Sequence, residues 1–334
     1  MRGFEREHKP PESGSQGPRL TAVFLFGPTA VGKTRSLSLL SERFPGLEVI
    51  SADSVQVYRG LDIGSAKPTA EELRRIPHHN IDVVDPDQGY TVADFVRSAE
   101  HAISDILSRG GLPVVSGGTA FYIKHLWFGL PESPPADPSI AAELAREAEM
   151  RGMDALRAEL REVDPVSSER IAEADRYRIL RALEVYRSSG RPLSSYPVPR
   201  RPRDDMQVLP LALKRDREDL YRRIDRRVEQ MFADGLEAEV RDLIRGGCAS
   251  RDPGMKAIGY REFFAEDALS ILQSGQSLPP EIRTRIIGEI QQVSRRYAKR
   301  QMTFFRSLPD VRWIDADTAD FPDSAMSAII ENRL

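Results

Sequence analysis

Residues Gly27, Pro28, Thr29, Ala30, Val31, Gly32, Lys33 and Thr34 follow the spacing G-x-x-x-x-G-K-[ST], a pattern that cradles phosphate. In it the glycines let backbone N–H groups turn inward, the lysine neutralises phosphate oxygens, and the threonine hydroxyl is placed to hold Mg²⁺. A plain glycine-rich turn would have the same composition. The flanks favour the phosphate reading, because an apolar run precedes the loop and a helical pattern follows it.

Other residues invite chemistry with less commitment. Asp53, in the stretch Asp53, Ser54, Val55, Gln56, is a carboxylate delivered by a strand end, suited to holding Mg²⁺ through water, acting as a base, or merely capping a helix. Gln56 adds an amide that can read a base edge or bond a loop backbone. Gly117, Gly118 and Thr119 also follow a strand, and offer close backbone approach and a hydroxyl, yet the same tripeptide makes an ordinary turn. Tyr177, Arg178, Ile179, Leu180 and Arg181 place an aromatic ring and a guanidinium one helical turn apart, a pairing that suits stacked bases and phosphates as well as plain solvation. His78 and His79 beside Asp82 and Asp85 make a poor metal site, since adjacent histidines seldom share one ion and no cysteine or third histidine is near.

The elements that must position these groups read as alternating strands and helices. Residues 21–26, 47–50 and 112–116 are buried-strand patterns; 35–44 and 91–108 are helical. That alternation predicts an α/β fold, a P-loop-containing doubly wound parallel sheet whose ligand sites lie beyond the carboxyl ends of the strands. Prolines at 131, 134, 135 and 138 punctuate a linker before a charged helical stretch over 139–186, an inserted helical module. A second proline-rich linker leads to residues 208–213, a returning strand whose Pro210 predicts an edge position. Two long helices follow: Leu220 to Leu243 in the first, and Ile282, Ile286, Ile290, Val293 and Tyr297 as the buried stripe of the second. The second ends in a basic run of Arg295, Arg296, Lys299, Arg300 and Arg306, which on its own reads as a solvated face. The expected layout is a disordered tail over 1–19, a catalytic core over 20–127 and 200–315, the insertion over 128–199, and a C-terminal tail over 316–334. The single Cys248 excludes an internal disulfide and fits a reducing compartment. No stretch approaches the roughly 20 apolar residues of a membrane span, so the expected setting is cytoplasmic. A formal net charge of −3 gives no whole-chain sign of nucleic-acid binding.

Taken in order, the segments Gly27–Thr34, Ile50–Pro68, Gly117–Thr119, Arg181–Tyr186, Ala257–Glu262 and Tyr297–Thr303 resemble the motifs of the tRNA dimethylallyltransferases, from about Val23 to Trp313. The resemblance implies transfer of a dimethylallyl group from dimethylallyl diphosphate to N6 of adenosine 37 in tRNA; a monomer with Mg²⁺ at Thr34 is expected. It implies that residues 29–34, with Lys33 and Thr34, hold the diphosphate together with Arg227. Asp53 would accept the N6 proton and Thr119 line the channel. It assigns tRNA contacts to residues 53–56 and 177–181, to Lys256, Gly259, Tyr260 and Arg261, and to Lys299, Arg300 and Arg306. Ala120 and Phe121, Phe304 and Asn80 depart from the commoner pattern without touching a proposed catalytic group. The rival readings are a small-molecule or nucleotide kinase with the same loop, an adenylate isopentenyltransferase acting on free nucleotide, and a non-catalytic RNA-binding protein.

Overall fold

An apolar run too short for a helix and flanked by polar residues forms β1 (Leu20–Phe26), whose last five residues are buried. The computed structural model describes residues 20–317 and 321–331; the tail expected over 1–19 lies outside the described residues. Two compact units divide the chain, one running up to Trp127 and resuming at Arg203, the other Phe128–Pro202.

The first unit continues through α1 (Lys33–Arg43), β2 (Leu47–Ser51), α2 (Ala70–Arg75), β3 (His78–His79), α3 (Val92–Ser108), β4 (Leu112–Gly117) and α4 (Ala120–Phe128), whose last residue begins the second unit. The second unit holds α5 (Pro138–Arg151), α6 (Met153–Val163), α7 (Pro165–Arg170) and α8 (Arg176–Ser189). The chain then completes the first unit with β5 (Met206–Lys214), α9 (Arg217–Ala233), α10 (Leu236–Arg245), α11 (Glu266–Gln273), α12 (Pro280–Phe305), β6 (Arg312–Asp315) and α13 (Phe321–Glu331). The strands form one parallel sheet in the order β3-β2-β4-β1-β5-β6. Val23, Leu25, Val49, Val114, Leu211 and Leu213 pack on one face with Leu37 and Leu40 of α1, as expected where helices cover a parallel sheet.

Three expectations need correction. The β5 strand is interior, between β1 and β6, and not at an edge. Pro210 is tolerated because β6 begins pairing only at Leu211, so on that flank Pro210 has no ladder to interrupt. The helix expected from Leu220 to Leu243 is two, α9 and α10, broken at Gly235, whose φ of 104° suits glycine and stops the first helix. Residues 321–331, expected in a tail, form α13, because Ala325, Ala328 and Ile329 fall at helical spacing and are wholly buried.

In the second unit, Leu144, Leu156, Leu160, Ile179, Ala182 and Leu183 make a separate core. Arg187 of α8 reaches Glu147 of α5 at 2.6 Å and Glu159 of α6 at 2.8 Å, tying three helices on their polar side. Among the described residues no helix is long and apolar enough to cross a membrane.

Candidate active site

Beyond the carboxyl end of β1, the chain turns through residues 27–32. A Cβ on Gly27 would fall 2.8 Å from the Leu213 carbonyl oxygen, so only glycine lets the loop leave between β1 and β5. Ala30 sits at φ 61° and Gly32 at φ 116°, and α1 starts with no side chain capping its first turn. Open N–H groups and the positive end of a helix dipole are features that suit an anion. Lys33 bends back over the loop, its Nζ donating to the carbonyls of Gly27 (3.1 Å) and Pro28 (3.0 Å). Burial and the charge of Arg227 pull the Lys33 ammonium down to about 8, against the opposing pull of Asp53. Thr34 is exposed, and its hydroxyl makes no hydrogen bond among the described residues.

Helix α9 supplies the loop's other partners. Arg223 Nε donates to the Ala30 carbonyl at 3.0 Å, and Arg215, just before the helix, donates to the Val31 carbonyl at 3.3 Å. Arg227, one turn beyond Arg223, makes no hydrogen bond among the described residues. Burial lowers its pKa, and Asp53 partly offsets that. A half-buried guanidinium and a half-buried ammonium that repel each other, with a single carboxylate attracting both, form a pocket of charge suited to an anion.

Asp53 follows β2. Its Oδ1 accepts from the N–H of Val55 (2.9 Å) and of Gln56 (3.3 Å), so one oxygen closes its own turn and the other carries no partner among the described residues. The capping alternative and the base alternative thus describe different oxygens of one side chain. Thr119, after β4, ties this turn down. Its Oγ1 accepts from Ser54 N–H at 3.0 Å and lies 3.3 Å from Ser54 Oγ, while its own N–H donates to the Ala52 carbonyl at 3.1 Å. A Cβ on Gly117 would lie 2.1 Å from the Ala52 oxygen, which is why glycine must stand where β2 and β4 end together. Gln56 is spent locally: its Oε1 accepts from Ser51 Oγ at 2.9 Å and its Nε2 donates to the Ala66 carbonyl at 3.2 Å. In this structure its amide braces the loop, and Val55 packs against the adjoining core.

Two residues of α12, both within the Tyr297–Thr303 segment that carries the resemblance, complete the site. Gln301 is 3% exposed; its Oε1 accepts from Thr29 N–H at 3.0 Å and its Nε2 donates to the Gly118 carbonyl at 2.7 Å. Tyr297, one turn earlier, directs its hydroxyl to the same carbonyl at 3.4 Å, and burial with the nearby Asp53 charge pushes its phenol up to about 12. The signal for Gln301 was its register. The stripe Ile286, Ile290, Tyr297 continues inward to residue 301, where a polar side chain in a buried face demands partners.

The segments expected to touch tRNA divide sharply by exposure. In α8, Tyr177 is 77% exposed and Arg178 is exposed beside Asp175, whereas Ile179 is buried and Leu180 packs on the same core. Arg181 donates to the Pro134 carbonyl and pairs with Glu184 at 2.8 Å, inside its own unit. Lys256 and Arg261 are exposed, but Gly259 and Tyr260 are buried. Tyr260 donates its hydroxyl to Glu239 at 2.7 Å, and Glu239 also accepts the N–H groups of Asp62, Ile63 and Gly64, so this motif clamps the loop that follows Asp53. A Cβ on Gly64 would strike the Tyr260 ring at 2.6 Å. Lys299, Arg300 and Arg306 are exposed along α12, with the Arg300 guanidinium 5.9 Å from the Tyr297 ring centre, while Arg295 is neutralised by Asp225. No group of three or more His, Cys, Asp or Glu residues among those described could hold a metal; His79 instead bonds Glu48 at 2.8 Å.

The IPP transferase family model matches residues 56–308. The chain is 44% identical over 300 residues to the tRNA dimethylallyltransferase of Geobacter sulfurreducens, covering 90% of this chain and 93% of that one. It is 42% identical over 302 residues to tRNA dimethylallyltransferase 2 of Geotalea daltonii, covering 90% and 89%. Among solved structures it resembles the full-length tRNA isopentenylpyrophosphate transferase of Bacillus halodurans, with TM-score 0.64 and 35% identity over 94% of this chain and 98% of that one. It also resembles a eukaryotic dimethylallyltransferase acting on tRNA, with TM-score 0.74 and 25% identity over 93% and 78%. A family model matching residues 56–308 and a relative 44% identical over 90% of the chain make it a member of the IPP transferase family.

Proposed function

We propose that this chain transfers the dimethylallyl group of dimethylallyl diphosphate to N6 of adenosine 37 in tRNA, giving N6-(dimethylallyl)adenosine and diphosphate. The observation that carries the proposal is the electrostatic grouping of Arg227, a pKa-depressed Lys33 and the Asp53 carboxylate beside one loop, with Arg227 and Asp53 Oδ2 making no hydrogen bond among the described residues. Two cations await an anion, and one carboxylate oxygen awaits a proton.

The adenine amine is a weak nucleophile because its lone pair is shared with the ring. The allylic carbon therefore has to lose its diphosphate easily: the C–O bond breaks with its electron pair going to the diphosphate, and the N6–C bond forms. The 27–34 loop, acting as a phosphate-binding loop, with Lys33 and Arg227 stabilises the charge that grows on the departing oxygens; one such donor is worth about 3 to 4 kcal/mol. Asp53 Oδ2 takes the proton released by N6, while Oδ1 stays bonded to its turn and keeps the carboxylate aimed. Thr119 fixes that turn through Ser54. Adenosine 37 must leave its stack to reach the site.

Mg²⁺ fits the residues present. Magnesium at phosphate sites takes only one or two protein oxygens beside the phosphates, and the exposed, unbonded Thr34 hydroxyl at the start of α1 is of that kind. When bound, the ion would offset diphosphate charge. Tyr177, Arg178, Lys256, Arg261, Lys299, Arg300 and Arg306 are the exposed candidates for tRNA, and the enzyme is read as a cytoplasmic monomer. Incubation with labelled dimethylallyl diphosphate and unmodified tRNA, followed by nucleoside mass spectrometry, tests the function. Label in tRNA adenosine is expected, and label in free adenosine monophosphate instead would turn the reading to the nucleotide-specific enzyme.

A further inference from the structure

Gln301 lies deep in the site and does nothing that the transfer chemistry itself requires, yet both ends of its amide are used. The carbonyl takes Thr29 N–H in the phosphate loop, and the amide nitrogen gives to Gly118 in the turn after β4. Those partners are 272 and 183 residues away in sequence, so the bonds join separate strand ends and not a local turn. From Gly118 the connection runs one residue to Thr119, whose hydroxyl holds Ser54 N–H beside Asp53. A Cβ on Gly118 would stand 2.5 Å from Gln301 Nε2, so the turn is shaped to receive this amide. One chain of hydrogen bonds thus links the loop that receives the leaving group to the turn that carries the base.

Resting on the transfer reading above, we infer that Gln301 is a positioning residue that fixes the spacing between the diphosphate loop and the Asp53 turn. Reacting groups held in line lose about a hundredfold in rate when displaced by roughly 1 Å. Every other link in the chain is backbone or a short hydroxyl; Gln301 is the one long side chain whose removal breaks it without deleting any catalytic group. Its geometry demands one acceptor and one donor in fixed positions, which glutamine satisfies and ionised glutamate does not.

Two variants test the role beside the parent chain. Gln301→Met keeps the volume and loses both bonds. Gln301→Glu keeps the acceptor but regains the donor only when protonated, and burial favours protonation. Single-turnover transfer at saturating substrates, tRNA affinity, thermal midpoint and amide hydrogen exchange at Thr29 are measured from pH 6 to 8.5. The expected result is a roughly hundredfold slower transfer for Gln301→Met with tRNA affinity within about threefold, and Thr29 exchange at least about tenfold faster. For Gln301→Glu, its rate relative to the parent should rise as pH falls, while the same ratio for Gln301→Met stays flat. Transfer by Gln301→Met within about threefold of the parent, or unchanged Thr29 exchange, overturns the inference. If Gln301→Met does not fold, the Gln301→Glu ratio decides alone, and a flat ratio overturns it. A parent chain that prenylates no tRNA overturns the transfer reading instead, a different pattern from an active parent with equally active variants.

Discussion

Raising the pH from 7 to 9 should weaken dimethylallyl diphosphate binding about tenfold through Lys33. Burial and Arg227 bring the ligand-free lysine down to about 8. At pH 7 roughly nine chains in ten then carry the ammonium, and at pH 9 roughly one in ten. A bound diphosphate is a neighbouring anion, which favours the charged form and drives the pKa back up. Binding above pH 8 must therefore take up a proton, and affinity present below that pH is lost as pH rises through it, a tenfold change or about 1.4 kcal/mol. The ligand does not mask the effect, because phosphate groups of this kind finish ionising near pH 6. Titration calorimetry at fixed ionic strength, from pH 7 to 9.5 and in two buffers of different ionisation heat, reads both affinity and proton uptake. Lys33→Met should bind more weakly with little pH dependence over that range. A flat profile in the parent, or the same slope in Lys33→Met, refutes the claim that a depressed Lys33 faces the diphosphate.

Asp53→Asn keeps an oxygen for the Val55 and Gln56 N–H groups but cannot take a proton, so single-turnover transfer should fall 10²- to 10⁴-fold with tRNA affinity retained; a matching loss of tRNA binding would deny it the role of base. Arg227→Ala removes a donor that no acceptor among the described residues engages, and should lower kcat by roughly 10²- to 10³-fold with little change in thermal midpoint, checked by steady-state kinetics beside calorimetric melting. Arg178→Ala should flatten the salt dependence of tRNA affinity by about one unit, whereas Arg181→Ala should leave the slope alone and destabilise the helical unit, because its guanidinium is bonded to Pro134 and Glu184. Equal slopes in the two variants would contradict that division. In the ligand-free chain, stability should rise between pH 8 and 10.5 in the parent relative to Lys33→Met, since the unfolded lysine still holds its proton where the folded one has lost it; denaturant melts at four pH values check this.

What could be read from the residues alone was whatever local pattern dictates. The 27–34 loop, β2 with Asp53 after it, and Gly117 to Thr119 after β4 each follow from a strand ending where glycine or a short polar side chain must turn the chain. Identity of residue types did not reveal how they are spent. The internal partners of Tyr260 and Arg181, Glu239 and Glu184, do not follow from the residue types alone. Gln56 is bonded to Ser51 and Ala66, neither of which its spacing singles out. Pro210 suggested an edge because propensity knows nothing of a four-residue β6 that starts one position later. Gln301 carried a readable signal, a polar residue on the inward stripe of α12, but its partners are set only by the order in which β1, β4 and that helix pack.

The central claim is that the 27–34 loop holds a leaving group and not a nucleotide's transferable phosphate. The most direct test supplies dimethylallyl diphosphate labelled in its allyl group, ATP labelled in its terminal phosphate, and unmodified tRNA to the same enzyme, and follows both labels. The account predicts allyl label on N6 of adenosine 37, release of unlabelled diphosphate, and no movement of phosphate from ATP. Phosphate transfer from ATP with no allyl label in tRNA would contradict it.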